Sequence, residues 1–132
     1  MPAIQLDHVN IRTRRMAETI AFYRDVLGMV VKPPPMTDDI LKGAFVYDPA
    51  GHAIFHLVAT DKFVEGPEPV SGAAQRGLVD HVALQCSDLE PFMANIRERN
   101  IEHKEVDVPQ LKLHLVFLRD PNGVMIELNF PM

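Results

Sequence analysis

Several features that define large classes of protein are scarce or missing in this sequence. It has one cysteine, no tryptophan, and no apolar run near the roughly 18 residues that a membrane span requires. A lone Cys86 excludes an internal disulfide, and no signal peptide opens the chain, so we expect a cytoplasmic location. The net charge of −5 without a basic cluster argues against nucleic-acid binding. The sequence therefore predicts a protein without membrane or nucleic-acid partners.

The composition is that of an ordinary globular domain. The chain has 132 residues, of which 47% are hydrophobic and 23% are charged. This length is enough to bury a sizeable core in one domain. We expect a single domain spanning residues 1–132.

A tight turn followed by an apolar strand occurs twice. Asp120-Pro121-Asn122-Gly123 favours chain reversal, and the residues after it alternate so that Glu127 lies on the face opposite Ile126. The earlier segment 48–58 repeats this plan, with His56 in its strand. Taken alone, Glu127 would be explained by a solvated sheet face, and His56 by packing with one hydrogen bond. The repetition favours a shared role instead.

A second pair of matching segments precedes the first. Leu6-Asp7-His8-Val9 corresponds to Val79-Asp80-His81-Val82. The chain therefore reads as two copies of one unit, each with a histidine early and a histidine or glutamate late. The four potential metal ligands occupy equivalent places in the two copies: His8, His56, His81 and Glu127.

Each copy has the pattern of a β-α-β-β-β module. Module 1, about residues 3–59, is predicted to contain a strand at 3–11, a helix at 16–27 that ends at Gly28, and strands at 29–32, 45–47 and 53–59. Residues 60–77 are rich in helix and strand breakers and predict a linker. Module 2, about residues 78–130, is predicted to begin with a strand. Ser87 and Glu90 then have the spacing of a helix capping box, and strands are predicted at 103–108, at 111–118 and after the last turn.

The order of these motifs resembles the vicinal oxygen chelate superfamily. That group includes glyoxalase I, methylmalonyl-CoA epimerase, fosfomycin- and bleomycin-resistance proteins and extradiol dioxygenases. The matching segments span nearly the whole chain: 7–9, 22–28, 80–83, 117–123 and 126–128. The resemblance implies an α+β fold in which two βαβββ modules form a curled mixed sheet around a metal-binding cup. It also implies a homodimer, often with modules of two subunits sharing a site.

The resemblance also implies roles for individual residues. His8, His81 and Glu127 match the family's two-histidine, one-carboxylate ligand set for one divalent ion, such as Fe2+, Mn2+, Zn2+ or Ni2+. His56 stands where glyoxalase I has a glutamate and the epimerase a glutamine. It is predicted as the fourth metal ligand, with a catalytic acid or base as the alternative. His114 is predicted as a catalytic or substrate-contacting residue of the cup, with an exposed strand histidine as the alternative.

Three functions remain open at this stage. With four protein ligands, a lyase or isomerase of the glyoxalase or epimerase type is the first choice, acting on a small molecule chelated through two oxygens. With three ligands and His56 free, the site resembles that of an extradiol dioxygenase. The third alternative is a drug- or metabolite-binding resistance protein without turnover, although that branch typically lacks the ligands present here.

Overall fold

The structure, a computed structural model, describes residues 1–61 and 78–132. The chain divides into two compact units, Met1–Val64 and Glu65–Met132. The predicted linker 60–77 lies outside the described residues, apart from Thr60 and Asp61. Within the described part of the chain, no helix combines the length and apolar character needed to cross a membrane.

Unit 1 is a four-stranded sheet with a helix between its first two strands. The elements in chain order are β1 (Val9–Thr13), α1 (Met16–Ala21), a π-helical turn (Phe22–Val26), β2 (Val30–Lys32), β3 (Gly43–Tyr47) and β4 (Ala53–Ala59). The strand order in the sheet is β1-β4-β3-β2. The first and last strands pair in parallel, and the other pairs are antiparallel.

Unit 2 repeats this plan. Its elements are β5 (Val82–Gln85), α2 (Leu89–Glu98), β6 (His103–Val108), a short 3-10 turn, β7 (Leu113–Arg119) and β8 (Met125–Pro131). The strand order is β5-β8-β7-β6, again with a parallel pair between the first and last strands. The predicted α+β class and its two βαβββ modules are confirmed as two open, mixed four-stranded sheets.

The core of each unit lies between one sheet face and the helix. In β4, Phe55 and Leu57 are 1% exposed, while the intervening His56 points to the other face. In β8, Ile126, Leu128 and Phe130 are buried in the same way, which leaves Glu127 on the opposite face. Because side chains alternate along a strand, His56 and Glu127 lie on the sheet face opposite the core of their unit.

The two Asp-Pro turns have the geometry that their sequences predict. The Asp120 carboxylate accepts hydrogen bonds from the backbone N–H groups of Asn122 and Val124, at 2.8 and 2.9 Å. The Asp48 carboxylate accepts one from the His52 N–H at 2.9 Å. The glycine of each turn has a positive φ, 86° at Gly51 and 87° at Gly123, which glycine adopts without steric cost.

Three local predictions were wrong in detail. The strand predicted at 3–11 begins only at Val9, because none of the described strands pairs with residues 3–8 and alternation alone cannot supply a partner. The predicted capping box is absent, since the residue that caps α2 is Asp88, at φ 61° and without a side-chain bond. The helix predicted at 16–27 is α-helical only to Ala21 and continues as a π-helical turn. Apolar periodicity over five residues does not distinguish a π-helical turn from an α-helical one.

Candidate metal centre

His8 and His81 occupy the same structural place in their units, one residue before the first strand. Each imidazole is bonded through Nδ1 to the carboxylate of the preceding aspartate. The His8 Nδ1–Asp7 Oδ2 distance is 2.6 Å, and the His81 Nδ1–Asp80 Oδ2 distance is 2.8 Å. A neutral imidazole that donates its Nδ1–H keeps a lone pair on Nε2, the atom with which it can bind a metal.

In unit 2, Nε2 of His81 faces the carboxylate of Glu127. The Nε2–Oε1 distance is 3.3 Å, and the Glu127 side chain is only 14% exposed. Two ligand atoms bound at about 2.1 Å to one ion lie roughly 3.0–3.4 Å apart at octahedral or tetrahedral angles. The pair therefore fits two neighbouring positions of a divalent ion's coordination shell.

In unit 1, the imidazole of His56 lies between two other rings. Its centroid is 3.7 Å from that of His8 and 3.8 Å from that of Phe45, with interplanar angles of 11° and 13°. Phe45 is the cross-strand partner of His56 in the β3–β4 ladder. Burial, followed by the nearby His8, lowers the pKa of His56. The stack fixes the plane of this ring and favours its neutral form.

This stacking decides how unit 1 can bind an ion. An imidazole nitrogen directs its lone pair within the plane of the ring, so an ion lies close to the plane of every ring that binds it. The ring planes of His8 and His56 are nearly parallel, and the ring centroids are 3.7 Å apart. A single ion cannot lie in both planes, so ligation by both residues would require one ring to rotate.

Asp7 and Asp80 are the residues of the site that sequence reasoning left without a role. Asp7 also lies 3.5 Å from Nε2 of His52, through its other carboxylate oxygen. Bonding to His8 and the charge of the neighbouring histidines lower the pKa of Asp7. The available signal was the Asp-His dipeptide at matching positions of the two repeats.

The structure does not bring His114 together with Glu127. His114 pairs with Phe130 across β7 and β8, and alternation places Phe130 on the face opposite Glu127. On that face, His114 Nδ1 lies 2.6 Å from Asp107 Oδ1, and its Nε2 lies 3.0 Å from Glu105 Oε1. The bond to Asp107, assisted by Glu105, raises the pKa of His114. A carboxylate at each ring nitrogen stabilises the protonated form of His114.

Asn129 lies two residues beyond Glu127 on the same face of β8. Its Oδ1 atom is buried, and in the described part of the chain it has no hydrogen-bond partner. A buried acceptor without a partner costs free energy, about 1–3 kcal/mol in typical cases. The Glu127 face of the sheet thus carries an unsatisfied polar atom beside the candidate ligand.

Each unit supplies a pair of candidate ligands rather than a set. Across residues 1–61 and 78–132, no three histidine, cysteine or acidic side chains are grouped so as to hold a metal ion. Unit 1 contributes His8 and His56, and unit 2 contributes His81 and Glu127.

The family follows from a match over nearly the whole chain. The model of the Glyoxalase/Bleomycin resistance protein/Dioxygenase superfamily matches residues 5–128. The chain belongs to this superfamily. The match includes all four candidate ligands and both βαβββ modules, and it covers members that are enzymes as well as resistance proteins that are not.

Two curated relatives match most of the chain. A protein named glyoxylase I 4 from Arabidopsis thaliana is 26% identical over 130 residues, which cover 93% of this chain and 68% of that protein. The uncharacterized protein YaeR of Escherichia coli K12 is 27% identical over 127 residues, covering 94% of each. Both similarities extend across the two modules.

Solved structures share the fold at low sequence identity. A glyoxalase/dioxygenase from Nostoc punctiforme superposes with a TM-score of 0.73 at 18% identity, covering 97% of this chain and 91% of that one. The fosfomycin resistance protein FosX from Listeria monocytogenes gives a TM-score of 0.69 at 16% identity, covering 99% and 96%. At these identities the likeness establishes the fold alone.

Proposed function

We propose that this protein is a metal-dependent lyase or isomerase of the glyoxalase or epimerase type. Its substrate would be a small molecule that chelates the ion through two oxygens. The observation that carries the proposal is the His81–Glu127 pair, in which a nitrogen and a carboxylate oxygen 3.3 Å apart match neighbouring ligand positions. A relative named glyoxylase I 4 supports the same reaction class.

His8, His81 and Glu127 form the proposed ligand set. A two-histidine, one-carboxylate set leaves coordination positions open for a substrate and suits Fe2+, Mn2+ or similar ions. His56 was predicted as a fourth ligand, and that prediction remains to be tested. Its stacking on His8 supports the alternative in which His56 transfers protons beside the ion.

A bound divalent ion would supply Lewis acidity, which stabilises negative charge developing on a substrate oxygen. The chain's own residues supply the proton transfer. A ring nitrogen of neutral His56 accepts a proton from the carbon next to a substrate carbonyl and returns it to the product. Phe45 holds the His56 ring plane while this occurs. The unsatisfied Asn129 Oδ1 offers an acceptor for a substrate hydroxyl or N–H group.

Metal analysis followed by a substrate screen tests this proposal. Protein purified without added metal should contain one Fe2+, Mn2+, Zn2+ or Ni2+ per site. It should convert a member of a panel of 2-oxoaldehydes, acyl-CoA thioesters, catechols and fosfomycin. Proton exchange from solvent into recovered substrate or product would identify the lyase or isomerase reaction. A protein that remains free of metal after exposure to each of these ions would refute the proposal.

A specific observation favours an extradiol-type dioxygenase as the second candidate. The His8–His56 stack, which keeps His56 off the ion, supports extradiol chemistry as well as isomerisation. The likeness to a relative named glyoxylase I 4 is the reason that isomerisation is placed first. Oxygen consumption with catechols distinguishes this reaction from isomerisation. Tight binding of a small molecule without any turnover would instead assign the protein to the non-catalytic resistance branch.

We also propose that the protein is a homodimer. The segments before the two first strands expose large apolar side chains, with Ile4 at 96%, Leu6 at 74%, Leu78 at 108% and Val79 at 80%. Burying these residues against a second copy would remove apolar surface from water. Sedimentation should therefore detect a dimer at micromolar concentration and physiological salt, and a monomer under these conditions would contradict the proposal.

A further inference from the structure

The aspartates before the two early histidines make the same bond in both units. Asp7 Oδ2 lies 2.6 Å from His8 Nδ1, and Asp80 Oδ2 lies 2.8 Å from His81 Nδ1. Neighbours in sequence have many side-chain orientations available. The same oxygen-to-nitrogen pairing in two separate units points to a common purpose.

A carboxylate that accepts from Nδ1 selects one tautomer of a neutral imidazole. The proton resides on Nδ1, and the lone pair resides on Nε2. Metal-binding histidines depend on such outer partners, whose loss typically reduces metal affinity by about 10- to 100-fold. In a triad enzyme, replacing the orienting aspartate by asparagine costs about 10⁴ in rate because the histidine adopts the wrong tautomer.

We propose that Asp7 and Asp80 are positioning residues that hold His8 and His81 in the tautomer that presents Nε2 to a divalent ion. This inference rests on the proposed function, in which both histidines are ligands. In unit 2, a second observation shows which nitrogen faces the proposed site, because the proposed co-ligand lies on the Nε2 side of the His81 ring. Its Nδ1 faces Asp80, while its Nε2 lies 3.3 Å from the proposed co-ligand Glu127.

We expect the two aspartates to differ in how firmly each one fixes the orientation of its histidine. Asp7 is 76% exposed and shares its carboxylate with His52, whereas Asp80 is 53% exposed. Water competes more effectively for an exposed acceptor, so the less exposed carboxylate fixes its histidine more firmly. Replacement of Asp80 should therefore change the site more than replacement of Asp7.

Unit 2 offers a matched control. Asp107 accepts from Nδ1 of His114 at 2.6 Å, on the sheet face opposite Glu127. The variant Asp107→Asn removes the same charge from the same unit and perturbs a histidine outside the proposed ligand set. An effect of Asp80→Asn that Asp107→Asn does not share is then specific to the position of Asp80, and the tautomer of His81 shows whether that histidine carries it.

The test combines a tautomer measurement with metal titration. Nitrogen-15 NMR of metal-free protein at about pH 8.5, where an ordinary histidine is neutral, reports which ring nitrogen carries the proton. We expect a protonated Nδ1 on His81 and His8, and transfer of the His81 proton towards Nε2 in Asp80→Asn. Zn2+ affinity, measured alone by competition with a chelator, should fall about 10- to 100-fold in Asp80→Asn and less in Asp7→Asn. Asp107→Asn should change only the His114 signals.

The possible failures are distinguishable. An unchanged His81 tautomer in Asp80→Asn would overturn the positioning role, whatever the metal does. A changed tautomer with unchanged Zn2+ affinity, in a protein that binds Zn2+, would also overturn it. Failure of the unaltered protein to bind any divalent ion would instead overturn the proposed function. If Asp107→Asn lost the same Zn2+ affinity, general loss of negative charge would explain the effect, and the positioning role would be overturned.

Discussion

The two units share strand order, turn chemistry and an Asp-His pair, yet their candidate ligands interact in different ways. In unit 2, His81 faces the carboxylate of Glu127 edge-on, nitrogen to oxygen. In unit 1, His8 and His56 lie face to face. One residue in the last strand, a histidine in place of a glutamate, separates the two arrangements. The difference teaches that one repeated scaffold can hold the same two positions in different geometries, a stacked pair in unit 1 and a nitrogen–oxygen contact in unit 2.

The largest expected effect comes from breaking the unit 2 pair. Glu127→Gln removes the charge with little change in shape, and a neutral amide is a much poorer ligand for a divalent ion. Metal content and activity should both be lost, as measured by elemental analysis after purification without added metal. Glu98→Gln, an exposed position at the end of α2, makes the same change in the same unit and is the control that should retain metal. Full occupancy in Glu127→Gln would remove Glu127 from the ligand set.

The matching change in unit 1 should separate chemistry from binding. His56→Ala should keep the metal and lose roughly 10²–10⁴-fold in turnover, the usual contribution of a positioned acid or base. Metal content and single-turnover rate are measured on the same sample. If metal and activity disappear together, His56 is a ligand after all, and its ring leaves the stack when the ion binds.

A smaller effect is expected from the phenylalanines that oppose the two last-strand residues. Phe45 pairs with His56, and Phe117 pairs with Glu127 at the equivalent place. Phe45→Leu should destabilise the protein by about 0.5–1.5 kcal/mol through lost stacking. Phe117→Leu should cost less unfolding free energy, because the Phe117 and His81 rings are nearly perpendicular and their centroids are 6.2 Å apart. Urea unfolding measures the unfolding free energy of both variants. Equal losses of unfolding free energy would mean that the stack does not fix the His56 ring.

The smallest expected effect is a dependence of stability on pH that comes from unit 2. The pKa of His114 is raised by Asp107 and Glu105, with His103 and Arg97 also near Glu105. A raised folded-state pKa means that the stabilisation is complete below the unfolded value of about 6.5 and is lost as pH rises through the folded value. His114→Gln should therefore reduce the fall of unfolding free energy over this range. The expectation fails if wild type and His114→Gln give parallel pH profiles.

The sequence allowed prediction of the elements whose signals are local. The Asp48 and Asp120 turns and the strand at 53–59 are confirmed, because turn residues and alternation encode them directly. The face occupied by His114 could not be predicted, since it depends on the register between β7 and β8. The stacking of Phe45 on His56 depends likewise on cross-strand pairing. The late start of β1 depends on where β4 offers a partner.

The parallel pairing of first and last strands has a consequence for the order of assembly. Among the described strands, β1 pairs only with β4 and β5 pairs only with β8, so neither sheet is complete until its whole module has been made. Such long-range pairing is slow compared with hairpin formation. During synthesis, the His8–His56 contact can form before Glu127 has been translated. The proposed metal ligands would therefore become available in two stages, with the carboxylate of Glu127 last.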